Sequence, residues 1–299
     1  MLNKKHAIVL VAGQSNAVGY DESPVEYRSS YSPNKRIKQL GFNGTNNLKI
    51  VDLTHCAESY QDMTPFTNPA NPTRVGTKGI HLPLANELLK HIPSDYELLI
   101  ISCAFGGTGF TAGVEGTYDA AAMKPMNGTG HGGIKWSQTS PYYLAMRDRL
   151  KFAFDLSHEN VFLGTVWIQG EQDHADPSTH YTEFQNMTTA FFHFFNTNGY
   201  SKRVKKGTFD KDIWYNVETT GYWYTTFAGC ETIWNNYRTW NPTTYVLVAR
   251  ETETNLVNGT GATSSTKAAH FGNNAYEKVI APNIVKTMKT IGTVLLAFL

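Results

Sequence analysis

A chain of 299 residues with 41% hydrophobic content is long and apolar enough to bury a sizeable core, so a globular fold is the starting expectation. Its 26 Lys and Arg against 25 Asp and Glu leave a net charge of +1, which gives no global field toward nucleic acid or an anionic membrane and points to a small or neutral partner. Three cysteines, Cys56, Cys103 and Cys230, form no C-x-x-C pair and indicate neither a disulfide framework nor a zinc site.

Lys4 and Lys5 precede "AIVLVA", an apolar stretch shorter than the about 7–15 residues of a secretory h-region, so no leader and a cytoplasmic location are expected, with a periplasmic, secreted or phage-associated one as the alternative. The same stretch, "HAIVLVAG", reads as a buried strand that ends on Gly13 and runs into Gln14, Ser15 and Asn16. Residues 20–36 and 57–80 follow as loops rich in Gly, Pro, Asn, Ser and Thr. "HLPLANELLKHI" places Leu82, Ala85, Leu88 and Leu89 on one helical face, and "YELLIISCAFGG" is the next strand, closing on Gly106 and Gly107. A third loop covers 111–140. Behind a Ser-Pro start, "SPYYLAMRDRLKFAFDL" repeats apolar positions at helical spacing. "VFLGTVWIQGE" is then a strand ending at Gln169, Gly170 and Glu171. A helix is expected from about Tyr181 to Phe195, a strand at "TTYVLVARE", a loop at 252–266, and a terminal helix that Pro282 starts or kinks. Aromatic residues crowd the region from Trp214 to Trp240, which fits a deep core or a surface that stacks on sugars. The longest apolar runs are well short of the about 20 residues of a spanning helix.

Strands alternating with helices make an α/β protein, a parallel sheet between helices with long loop insertions, read as a single domain over 1–299. In such a sheet ligands bind beyond the carboxyl ends of the strands, which is where Ser15, Gly106, Gly107, Gln169 and Glu171 fall. A serine hydroxyl becomes a nucleophile only when a base takes its proton, and the oxyanion that follows needs donors. Ser15 would attack, while its own N–H, an N–H of the Gly106–Gly107 turn and the Gln169 carboxamide would meet the developing charge. Among ten histidines, His270 stands just before the terminal helix as the candidate base, with His55, His81, His131 and His174 as rivals. Gly-Gln-Ser-Asn could equally be a turn with a helix cap, and "FGGTGFTAG" lacks the spacing of a phosphate loop.

The combination and order of "GQSNAVG", "GGTGF", "WIQGEQD" and a late "HFG" resembles the SGNH-hydrolase superfamily in its carbohydrate-esterase branch. "RIKQLGFN", "DLTHCAESYQDM", "FTAGVEGTYDA", "SPYYLAMRDRL", "FLGTVWIQGEQD" and "IWYNVETTGYWY" are similar to bacterial sialate O-acetylesterases acting on 9-O-acetylated N-acetylneuraminic acid. The resemblance implies a three-layer, flavodoxin-like SGNH fold, an O-acetylated sialic acid or sialoglycan as substrate, and no cofactor or metal. It also implies Ser15 as nucleophile, His270 as base, an oxyanion hole from Ser15, Gly106, Gly107 and Gln169, and Glu171 as a polar organiser. One departure is Lys267, three residues before the histidine, where many members carry Asp; a Ser-His dyad is therefore expected, its imidazole oriented by a backbone carbonyl near Ala268 or a carboxylate from elsewhere. A histidine base with an ordinary pKa of about 6.5 predicts activity that falls on the acid side of neutrality. Arg74, Tyr118 and Arg147 are places to look for recognition of a sialate carboxylate. Two other readings are an acetylesterase acting on xylan or another surface polysaccharide, and a binding protein reading sugars through Trp214, Tyr222, Trp223 and Trp234.

Overall fold

Ala7 to Ala12 are all buried, and the strand they form, β1 (Lys5–Gly13), is paired on both edges. A run of branched aliphatics with no polar face suits a central parallel strand covered by helices on both sides. The computed structural model describes residues 4–23, 31–67, 75–126, 133–246, 248 and 267–293, with Lys267 described by its backbone only.

After β1 come α1 (Ser15–Val18), β2 (Ile37–Leu40), β3 (Ile50–Asp52), α2 (His81–Leu89) and β4 (Tyr96–Ala104). A hairpin of β5 (Thr117–Asp119) and β6 (Lys124–Met126) leads to α3 (Pro141–Asp155), β7 (Val161–Ile168) and α4 (Pro177–Thr197). The chain continues through β8 (Trp214–Val217), α5 (Gly221–Thr226), α6 (Ala228–Trp240), β9 (Tyr245–Val246), α7 (Asn273–Ala275) and α8 (Ala281–Thr290). One seven-stranded sheet has the order β3-β2-β4-β1-β7-β8-β9, and every pair in it is parallel except β2 with β3. Chain order turns back at β1, and relative to the simple flavodoxin order the first and third parallel strands exchange places.

Alternate β1 residues feed two cores, giving three layers. Ala7, Val9 and Val11 pack with Leu82, Leu84 and Leu88 of α2 and Ile284 and Met288 of α8. Ile8, Leu10 and Ala12 pack with Leu150 and Phe154 of α3, Phe184 and Phe191 of α4, and Ile233 and Trp234 of α6. Local chemistry starts the helices: Ser140 Oγ accepts from Tyr143 N at 3.2 Å ahead of α3, and Asp176 Oδ1 accepts from Thr179 N at 3.1 Å ahead of α4. Pro282 lies in the first turn of α8, after a π-helical turn at Tyr276–Ile280. No described helix is long and apolar enough to cross a membrane.

Of the expected strand "TTYVLVARE", Tyr245–Val246 is a strand, while 247 and 249–251 lie outside the described residues, as does the loop 252–266. Strands β2 and β8 and helix α6 were not expected from the sequence. The two strands are four residues each and carry polar Lys38, Gln39 and Asn216, which interrupts the apolar run that marks a buried strand.

Candidate active site

Gly13 pairs with Ala104 on β4 and with Ile168 on β7, so the three chains leave the sheet at one level. Gln14–Ser15, Phe105–Gly107 and Gln169–Glu171 therefore share one edge at the topological switch point. The exit from β1 requires glycine: Gly13 has φ 132°, and a Cβ there would lie 2.1 Å from the Ile168 carbonyl oxygen. Gln14 N–H then donates to that carbonyl at 3.0 Å, and Ser15 begins α1, buried at 7% exposure. Its Cβ is 3.6 Å from where a Cβ on Gly106 would stand.

The neighbouring Asn16 brings in the far end of the chain. Its Nδ2 donates to Ala269 O at 3.1 Å and its Oδ1 accepts from Phe271 N at 2.9 Å, so one side chain holds the backbone on both sides of His270. Tyr276 Oη adds a bond to Asn16 O at 3.0 Å. The His270 ring stacks on Tyr20, centroids 4.9 Å apart and planes at 26°. Burial pushes His270 down to about 4, with the Glu22 carboxylate pulling weakly the other way. The ordinary histidine value assumed from sequence is thus corrected: desolvation keeps this imidazole neutral well below neutrality.

No described residue bonds the buried Nδ1 of His270. The Ala268 carbonyl, a sequence candidate for that role, accepts from Thr220 Oγ1 at 2.8 Å instead, and Ala269 O takes Asn16 and Trp223 Nε1, the latter at 3.1 Å. Lys267 opens a 3-10 turn, Lys267–Ala269.

The candidate oxyanion donors divide differently from the sequence expectation. Gly106 N–H is committed to Gln61 Oε1 at 2.7 Å, which removes it as a donor to substrate. Gly107 N–H has no such partner among the described residues and lies on an exposed part of the turn. Ser15 N–H, in the first turn of α1, is spared by intrahelical bonding. Gln169 Nε2 donates once, to Thr108 O at 2.8 Å, leaving its second N–H uncommitted, and its buried Oε1 bonds no described residue.

Beneath these groups Glu171 accepts from Gln14 Nε2, from Asn16 Nδ2 at 2.8 Å and from Thr219 Oγ1. Burial raises its carboxyl to about 7, against the pull of Thr219 and Asn16. Asp173, overlooked in the sequence although it stands in "QGEQD", accepts from Phe110 N at 2.8 Å, Thr111 N at 2.9 Å, Thr111 Oγ1 at 2.6 Å and His180 Nδ1 at 2.6 Å. Burial opposes its ionisation, but His180 and these donors outweigh burial and bring it down to about 2. His180 continues through Nε2 to Tyr237 Oη, which also takes Trp167 Nε1 at 3.0 Å. This buried chain ties the loop after β4 to the turn after β7.

The other sequence candidates lie elsewhere in the structure. His81 is buried against Ser102 Oγ at 3.1 Å, His55 is buried beside Gly76, and His174 bonds Glu171 O at 2.9 Å. Arg74 and His131 lie outside the described residues. Tyr118 and Arg147 both bond Asp148, at 2.7 Å each. Trp214 and Trp234 belong to the core, whereas Tyr222 and Trp223 are half-buried on α5.

No family model matches the sequence. The chain is 34% identical over 251 residues to the probable 9-O-acetyl-N-acetylneuraminic acid deacetylase of Escherichia coli strain K12, spanning 77% of this chain and 72% of that protein. Among solved structures, NanS superposes with a TM-score of 0.84 at 27% identity over 98% of this chain and 99% of its own. An Arabidopsis thaliana protein at 14% identity shares the fold, with a TM-score of 0.62 over 96% of this chain and 98% of that one.

Proposed function

The chain belongs to the family of the 9-O-acetyl-N-acetylneuraminic acid deacetylases and is a carboxylic ester hydrolase of SGNH fold, and from that premise we propose that it removes 9-O-acetyl groups from sialic acid by a Ser15–His270 mechanism. Ser15 Oγ attacks the acetyl carbonyl while His270 Nε2 takes the hydroxyl proton. The oxyanion is met by the N–H groups of Ser15 and Gly107 and by the uncommitted N–H of Gln169. Collapse breaks the bond to the sugar oxygen, which leaves with the proton held by His270, and Ser15 keeps the acetyl group. Water, deprotonated by the same imidazole, attacks the acetyl-enzyme; acetate departs and the proton returns to Ser15.

The observation that carries this reading is the double clamp of Asn16, which is adjacent to Ser15 in sequence and holds the backbone before and after His270. Three measurements test it. Acetate release from mono- and di-O-acetylated sialic acids should exceed release from acetyl xylan; the opposite preference would move the substrate to another polysaccharide. Ser15→Ala and His270→Ala should each lower kcat by about 10³-fold or more, with fold retained. Organophosphate labelling should modify Ser15, and an enzyme that keeps full turnover after Ser15→Ala would refute the mechanism.

The pH profile follows from the protonation state of the base. A base works when neutral, and His270 stays neutral down to about 4, so kcat/KM should hold below pH 6 and fall only as pH approaches that value. Glu171, raised to about 7, takes up its proton first, so an acid limb near the ordinary histidine value of about 6.5 that persists in Glu171→Gln would mean that the imidazole is solvated during turnover.

A further inference from the structure

A serine hydrolase needs something to fix the plane of its imidazole and to stabilise the imidazolium formed when the serine gives up its proton. A carboxylate on Nδ1 commonly does both. In this chain the buried Nδ1 has no acceptor among the described residues: the nearby carbonyls of Ala268 and Ala269 bond Thr220, Asn16 and Trp223, and neither accepts from Nδ1. The Asn16 clamp holds the backbone of residues 269–271 but leaves rotation of the ring unopposed.

Tyr20 opposes it. Its ring lies against the imidazole, centroids 4.9 Å apart and planes 26° from parallel. Tyr20 is itself held at both ends. Gly19 N–H, one residue before it, donates to Ser15 O at 3.0 Å, and Gln61 Nε2 donates to its hydroxyl. Gln61 also accepts from Gly106 N–H at 2.7 Å and donates its backbone N–H to Ala104 O at 3.0 Å. One glutamine therefore braces both the tyrosine and the turn that carries Gly107.

We propose that the aromatic face of Tyr20 does the work of a carboxylate that no described residue supplies, as a positioning residue that fixes the His270 ring plane and stabilises the imidazolium in the transition state. The inference rests on the Ser15–His270 reading. An aromatic face is electron-rich, and a cation within about 6 Å of its centroid is attracted to it, more strongly when water is excluded. A neutral imidazole gains little from that face and an imidazolium gains more. The interaction therefore grows as the proton moves and belongs in kcat rather than in KM. Among the described residues, the charged group that acts on His270 is Glu22, two residues beyond Tyr20; Asn16 and Trp223, which bond the adjacent Ala269 carbonyl, are neutral.

The test compares Tyr20→Phe, Tyr20→Leu and Tyr20→Met, with Ser15→Ala and His270→Ala as controls, by initial rates on O-acetylated sialic acid and on a chromogenic acetyl ester. Removing the ring in the Leu and Met variants should lower kcat about tenfold with KM within about twofold, whereas Phe, which keeps the face and loses the hydroxyl, should stay within about threefold of wild type. A ring-current signature is read on the wild-type protein itself: the His270 ring protons should lie upfield, and the Leu variant should lose that shift. Wild-type kcat in the Leu and Met variants, a Phe variant as impaired as Leu, or an absent upfield shift each overturns the assignment. If the serine or histidine control keeps its rate, the dyad reading fails; if both controls are inactive while Leu and Met turn over normally, only the role of Tyr20 fails.

Discussion

Glu171 shows how one buried carboxylate can organise a site it does not enter. Its two oxygens collect donors from Gln14, Asn16 and Thr219, residues that flank Ser15 on one side and α5 on the other. Glu171→Gln conserves volume but replaces one acceptor oxygen with an NH₂ that faces other donors. A buried donor without an acceptor costs about 1–3 kcal/mol, so the urea midpoint should drop by a corresponding amount. Because Asn16 is also the clamp on His270, kcat should fall in the same variant; unchanged stability together with unchanged kcat would show that the three donors are satisfied without Glu171. The placement of Ser15, Gln169 and Glu171 at one sheet edge was legible because polar residues directly after apolar strands are conspicuous. Asn16, Gln61 and Tyr20 were not legible, since their roles depend on partners 253, 45 and 41 residues away in the chain. Gly106 was legible as a turn but not as a spent donor, because only the fold brings Gln61 to its N–H.

Among the connecting elements, the strut from Asp173 through His180 to Tyr237 is the counterpart of the Asn16 clamp. Asp173 sits so close beneath the loop after β4 that a Cβ on Gly109 would lie 2.1 Å from its Oδ1 and 2.6 Å from its Cγ. Gly109→Ala must therefore lift residues 109–111 off the carboxylate, breaking the bonds from Phe110 and Thr111 and displacing Gly107 two residues upstream. The variant should remain folded with a lower melting temperature and lose more in kcat than in KM, since Gly107, a proposed oxyanion donor, is what moves. Asp173→Asn should be worse for stability, by about 3 kcal/mol, because it removes the partner of a buried histidine and points an amide at backbone donors. Equal melting temperatures for wild type and Asp173→Asn would remove the strut from the account. The long elements were legible for a simple reason: β1, β4, β7, α2, α3 and α4 each carry a full period of apolar residues. The short β2 and β8 owe their existence to neighbours already in place, as Asn216 on β8 does when its N–H reaches Thr244 O across the sheet at 3.2 Å.

For the molecule as a whole, burial of titratable groups at and around the sheet fixes how stability responds to acid. His6, His55, His81 and His270 are all held below the ordinary histidine value by desolvation, His81 and His270 down to about 4. An unfolded chain takes up protons on these residues as pH falls through about 6.5, while the folded protein takes them up only on reaching the lower values. In that window the unfolded state binds more protons, so stability falls as pH falls. Glu171 acts in the opposite sense, because its folded carboxyl is raised to about 7: it is protonated while the unfolded one is not, and stability from it is lost as pH rises between the two values. Asp173, brought down to about 2, contributes stability that persists until pH drops into its own range. Between pH 7 and pH 5 the fully buried His81 alone should remove about 2 kcal/mol by linkage, Glu171 should return a similar amount, and the remaining histidines tip the balance toward loss. Urea unfolding should therefore show a lower midpoint at pH 5 than at pH 7, and His81→Leu should flatten that dependence whatever it does to the midpoint at neutral pH. Activity and stability then separate on acidification: initial rates on the folded enzyme persist toward pH 4 because His270 remains a free base, while prolonged incubation at the same pH inactivates the protein by unfolding it. A midpoint that is equal at the two pH values, with wild type and His81→Leu showing the same slope, would mean that these imidazoles gain protons in the folded state as readily as in the unfolded one.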